Sequence, residues 1–220
     1  LNWIWGAGGD ILDPQEPTRF IGHEAEAVAA IQFLSDIIWK DGSSPSTWGD
    51  SGWLSGRFAM IEDAMASTFR YKGIIDGRFE WDVIRRPAGP AGRPGYLVDD
   101  SFGIWAQTPH PEEAWQLVKF LVSKRGQEIM VEQSGLPPVR RSAAEAYFAL
   151  DPNLNLRAFA DAVMDARPTI YSRMPGNISE VHTLLWETIS DSLLRNMQPY
   201  PVAIESIRSA IELLLQSDPE

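Results

Sequence analysis

The sequence predicts an α/β fold in which helix exceeds strand. Three observations carry that prediction: short apolar runs bounded by breakers in the first half, one proline- and glycine-rich stretch in the middle, and two long amphipathic repeats at the end. From Ala25 to Lys40, Val28, Ile31, Leu34 and Ile38 recur at helical spacing, and Gly42 stands where a helix C-cap belongs. Phe58–Ile61 is a short apolar run between Gly56 and an acidic pair, which reads as a buried strand. Trp81–Arg85 alternates and stops at Pro87, again strand-like. Residues 87–95 (PAGPAGRPG) exclude helix and central strand, so they form an exposed loop or crossover. Phe102–Ala106 then reads as a strand.

Pro111 is a natural first-turn residue, with Glu112 and Glu113 favourable at the positive helix end. Ala114, Leu117, Val118 and Leu121 supply the apolar face of a helix over 111–122. Ile178, Val181, Leu184, Leu185, Ile189 and Leu193 mark a helix over 177–196, and Val202 to Leu215 mark one over 200–215, with Pro199 and Pro201 separating them.

Composition excludes several function classes. A chain of 220 residues, 44% apolar, can bury a substantial core. Its net charge of -11 argues against nucleic acid and against a polybasic membrane anchor. The absence of cysteine excludes disulfides, thiol catalysis and cysteine-ligated zinc. No apolar run approaches the ~18 residues that span a bilayer. His23, His110 and His182 lie scattered without ligand spacing, so neither a metal nor another cofactor is expected. The opening residues, without Met or signal peptide, read as the middle of a longer protein. Nine tryptophans are spread along the chain; large aromatic faces stack on sugar rings, although most Trp side chains serve as core.

Catalytic constellations fare poorly. Gly49-Asp50-Ser51-Gly52 resembles a serine-protease nucleophile loop but continues with Trp53, and only His23 lies upstream to serve as base. Ser51 is better read as a helix start capped by Asp50 or Ser51 itself. The carboxylate pairs Glu62-Asp63 and Asp99-Asp100 flank expected strands. They read as solvated loop acids or as sugar-hydroxyl acceptors before they read as a glycosidase pair. Gly6-Ala7-Gly8-Gly9 lacks phosphate-loop spacing and reads as a tight turn needing positive φ.

Four signatures stand in order: Trp3–Leu12 (WIWGAGGDIL), Ser55–Ile61 (SGRFAMI), Glu112–Trp115 running on to Lys119–Leu121, and Gly135–Arg140 (GLPPVR). Together they resemble the C-terminal half of extracellular solute-binding proteins of the family-1, sugar-binding type, which serve ABC importers. The resemblance implies a type II periplasmic-binding-protein-like fold: a helix-rich C-terminal portion with a short mixed sheet. It implies a second-lobe segment at 1–86, a crossover at 87–100, a return segment of the first lobe at 101–141, and C-terminal helices capping the second lobe at 142–220.

The function so implied is non-enzymatic. The protein would capture a carbohydrate or similar small polar solute and deliver it to the transmembrane subunits of an ABC permease. The alternative is a glycoside-processing enzyme or carbohydrate-binding domain using Asp, Glu and Trp residues. The resemblance puts ligand contacts at Glu62, Asp63, Phe69, Arg70, Asp100, Ser101, Phe102 and Arg140, with Trp5 as a stacking platform. Maltose-type members carry a stacking Trp in the loop after the Ala-Met strand; this chain has Ala66 nearby, with Phe69 or Tyr71 as substitutes, so the particular sugar stays open. Location would be periplasmic or extracellular, free or lipid-anchored. The 102–122 segment is expected to be left exposed or to mediate self-association.

Overall fold

The structure, a computed structural model, describes residues 1–98, 101–168 and 177–217. In chain order it contains α1 (Asn2–Ala7), α2 (Ala25–Ser35) continued by a π-helical turn (Asp36–Lys40), α3 (Ser51–Leu54), α4 (Thr68–Ile75) and β1 (Gly95–Leu97). There follow α5 (Pro111–Leu121), α6 (Lys124–Ser134), α7 (Ala144–Phe148), α8 (Arg157–Met164), β2 (Ala166–Pro168), α9 (Ile178–Leu193) and α10 (Tyr200–Gln216). The helices expected at 25–40, 111–122, 177–196 and 200–215 all form, since in each the apolar residues recur on one helical face. Gly42, at φ 64, follows the π turn as expected, and Pro111 occupies the first turn of α5.

The chain folds into two compact units. One comprises residues 1–48, 87–98 and 162–220; the other comprises 49–86 and 99–161. These limits differ from the four-part division drawn from the resemblance: here 49–86 packs with 99–161.

The first unit is held by α1, α2, α9 and α10. Trp5, Phe20 and Ile31 join Val181 and Leu185 of α9 and Ile204, Ile211 and Leu215 of α10 in one buried core. The Tyr200 hydroxyl, at the start of α10, donates to the Gly22 carbonyl at 3.0 Å. The proline- and glycine-rich stretch closes on the end of α1. A Cβ on Gly89 would lie 2.3 Å from the Gly6 oxygen, so only glycine fits. The same oxygen accepts from the Ala91 amide at 2.9 Å. Just beyond, β1 and β2 pair in parallel, with Tyr96 opposite Arg167.

The second unit has two smaller clusters. Trp53, Tyr71 and Ile75 pack with Phe79 and Trp81, and Val131, Tyr147 and Leu156 pack with Phe69. Here three expected strands do not form: 58–61, 81–85 and 102–106 are irregular. Apolar runs at the first two positions do drive burial, since Ile61 and Trp81 pack on the Trp53 cluster. A strand, however, also requires a neighbour to accept its ladder hydrogen bonds, and no described residue pairs with these segments in a sheet. Segment 102–106 lacks burial as well, with Phe102, Ile104 and Trp105 exposed by 46%, 40% and 67%.

Candidate ligand-binding residues

Four of the nine residues named from the sequence lie on or just before α4 of the second unit: Glu62 and Asp63 ahead of it, Phe69 and Arg70 in its first turn. Asp50, at the N-terminus of α3, makes no side-chain cap; its carboxylate accepts instead from the Arg70 guanidinium. Arg70 also lies over the Tyr71 ring, 4.7 Å from the centroid, and Tyr71 donates to the Asp63 carboxylate. Burial, reinforced by that hydrogen bond, pushes the Tyr71 phenol up to about 12. Glu62 pairs with Arg86 at 3.7 Å; burial lowers the Arg86 pKa, partly offset by Glu62.

Phe69 takes the opposite role. Its ring meets Tyr147 edge-on at 6.0 Å and fills the space above Gly135, where a Cβ would come within 2.6 Å of it. Arg140 is exposed and donates through Nε to the Val122 carbonyl at 2.9 Å. Ser101 and Phe102 are exposed, and Asp100 lies outside the described residues. Asp50, Arg70, Tyr71 and Asp63 thus form one linked group, in which Arg70 is paired with Asp50; Glu62 is paired separately with Arg86, and Arg140 stands apart on a backbone carbonyl.

Trp5 departs from expectation. It belongs to the first unit and is 1% exposed, so it is a core residue and offers no face for stacking. Tyr96 lies 6.3 Å from its ring and the Arg167 guanidinium 5.8 Å away. The cause is α1 itself, which the sequence did not announce. Wound into a helix, Ile4, Trp5 and Gly6 turn inward.

Another aromatic feature went unforeseen. Trp48 and Trp186, both in the first unit, stack with centroids 5.5 Å apart and planes at 22°, while staying 63% and 49% exposed. The sequence carried a signal for one of them: Trp186 falls out of step with the apolar stripe of α9 and must face outward. A cavity of about 130 Å3 between α2 and the α9–α10 connection is lined by Gln32, Ser192 and Asn196. It is smaller than the roughly 300 Å3 at which ligand clefts begin. Among the described residues, no group of three His, Asp or Glu side chains is placed to hold a metal, and no helix is long and apolar enough to cross a membrane.

Comparisons with known proteins agree with one another. The family model of bacterial extracellular solute-binding proteins matches residues 2–155. A Brucella abortus (strain 2308) protein, named only as a binding protein, is 32% identical over 122 residues, which is 54% of this chain and 26% of its own length. The Listeria monocytogenes ABC substrate-binding protein Lmo0181, solved with cycloalternan, superposes with a TM-score of 0.77 at 13% identity, covering 96% of this chain and 55% of that one. UgpB from Mycobacterium tuberculosis, solved with glycerophosphocholine, gives 0.75 at 18% identity, covering 97% of this chain and 54% of that one. The present chain therefore spans about half the length of these structures and about a quarter of the curated relative. These likenesses show the type II periplasmic-binding-protein fold, helix-rich with a small parallel sheet.

Proposed function

The chain belongs to the bacterial extracellular solute-binding proteins, and on that premise we propose that it is part of the substrate-binding component of an ABC importer. It captures a carbohydrate or similar small polar solute and passes it to the transmembrane subunits of a permease, without catalysing a reaction. The observation that carries this reading is the family match over residues 2–155. The family lies outside the cytoplasm, in the periplasm or at the cell exterior. Attachment there through a lipid anchor is part of the proposal.

The mechanism follows from differential affinity. A ligand that touches two lobes binds the closed arrangement better than the open one and shifts the population toward closure, which the permease reads. Glu62, Asp63, Phe69, Arg70, Asp100, Ser101, Phe102 and Arg140 remain the proposed contacts. Asp63 and Arg70 are the members best prepared for it, since their mutual partner Tyr71 fixes both side chains. Self-association through the exposed apolar side chains of the 102–122 segment belongs to the same proposal.

The test is thermal unfolding of the full-length protein across a panel of oligosaccharides and polyols. Binding to the native state raises the melting temperature with concentration, by an increment equivalent to about 2.7 kcal/mol at a hundred times Kd. Chemical conversion of any sugar in the panel would overturn the binding reading in favour of a glycoside-processing enzyme.

A further inference from the structure

The stacked pair Trp48–Trp186 is a second aromatic feature that the proposed contacts do not use, and its geometry is unusual for a surface. Two indoles exposed by 63% and 49% leave much apolar area in water. They stack on each other at 5.5 Å and 22°, so each fixes its partner's rotamer. Neither ring nitrogen donates to another described residue. The pair therefore presents rigid outer faces bordered by two indole N–H groups.

The surroundings narrow what can cover it. Trp186 is the one large apolar side chain on the described surface of α9. Its exposed neighbours on that helix are Ser179, His182, Thr183 and Glu187. Trp48 ends the hydroxyl-rich run Ser43-Ser44-Pro45-Ser46-Thr47. A protein interface needs a broad apolar patch; here the exposed side chains of α9 beside Trp186 are polar, and the run leading to Trp48 is rich in hydroxyls. A quaternary ammonium calls for aromatic faces that enclose it, and parallel stacking closes the facing sides. A pyranose suits both parts, with its C–H face against indole and its hydroxyls toward these polar side chains. We infer that Trp48 and Trp186 form a stacking platform for a carbohydrate ring on the first unit. The inference rests on the sugar-binding reading above and deepens it.

The second anchor of the same loop supports rigidity. Trp39, just before it, donates through its indole N–H to the Leu193 carbonyl at 2.9 Å. The 39–48 segment is thus held to α9 at both ends, by Trp39 at the last turn and by Trp48 two turns earlier. A preformed platform loses little entropy when a sugar settles on it.

Titration of the 220-residue chain with maltose and with cycloalternan tests this, read by the indole 15N–1H resonances and by calorimetry. The Trp48 and Trp186 signals, assigned by substitution, should shift together and saturably. Trp186→Ala should weaken apparent affinity by about ten-fold or more, the scale of a lost anchor, whereas Trp48→Phe should largely retain it; unchanged far-UV circular dichroism guards against misfolding. Binding with both signals unmoved, or with Trp186→Ala as tight as the parent, overturns the platform and leaves the sugar-binding reading intact. No response to either sugar in this chain overturns the platform, and no response in the full-length protein overturns the reading as well. Shifts with glycerophosphocholine alone make the pair a cation site and overturn its carbohydrate role.

Discussion

The indole nitrogen of Trp39 donates to the carbonyl oxygen of Leu193 at 2.9 Å, joining residues 154 positions apart. Leu193 ends α9, so its carbonyl is one of the last-turn acceptors that the helix cannot satisfy itself. Trp39→Phe keeps an aromatic ring, smaller than the indole, and removes the donor. We expect a loss of about 1 kcal/mol, visible as a lower urea midpoint at unchanged slope. An unchanged midpoint would mean that water replaces the indole at no cost.

Gly135 ends α6 at φ 67, with the Phe69 ring pressed against its α-carbon. A side chain there is strained twice, by the left-handed backbone and by a Cβ within 2.6 Å of Phe69. Gly135→Ala should therefore cost roughly 2 kcal/mol or more, beyond the usual surface substitution. In a double-mutant cycle with Phe69→Ala the penalty should shrink; strict additivity would show that the Phe69 ring is not what opposes the side chain.

Alkaline pH should destabilise the fold through its buried phenols. Tyr71 titrates at about 12 rather than its usual 10.0, because burial and the Asp63 carboxylate both disfavour the phenolate. Burial also raises Tyr200. The folded state thus holds protons that the unfolded state has released. Their contribution is complete below pH 10 and declines as pH rises toward 12. Comparing urea midpoints at pH 8, 10 and 11, Tyr71→Phe and Tyr200→Phe should each flatten that decline. An unaltered slope in both variants would contradict the assignment.

On α5 no side chain is buried, and Trp115, Leu117 and Phe120 are exposed by 50%, 58% and 49%. Together with Phe102, Ile104 and Trp105 they leave apolar surface that soluble monomers seldom tolerate. Sedimentation velocity of this chain should show concentration-dependent association, and Trp115→Glu with Leu117→Lys should reduce it. A monomer at all concentrations up to about 100 µM, roughly the range where aggregation-prone surfaces associate, would remove self-association from the proposal.

The helices were legible because their information is local: a stripe at Val181, Leu184 and Leu185, or a proline at 111, needs no distant partner to be read. The expected strands at 58–61, 81–85 and 102–106 failed for the complementary reason. An apolar run such as Phe58–Ile61 states that something is to be buried and is silent on which segment pairs with it. Asp50 shows the same limit at one residue. Its position at a helix start was clear, whereas its preference for Arg70 over the helix amides depends on α4 folding back. Trp5 was misplaced because α1 is too short to carry a period, and the Trp48–Trp186 stack depends on a tertiary meeting that neither residue's neighbours announce.

Interleaving of the two units sets a timetable for synthesis. Helices α1 and α2 leave the ribosome early, yet the core they share is completed only by α9 and α10. At roughly 5–20 residues per second, the separation of 154 positions from Trp39 to Leu193 imposes a wait of about 8–30 s. During that interval α1 and α2 can pack on each other, while the side of their shared core that α9 and α10 cover stays open. The second unit, encoded between these pieces, has its whole sequence translated before the first can close. Nascent chains of this protein consequently spend seconds with apolar helix faces open, an interval in which holdase chaperones have a natural substrate.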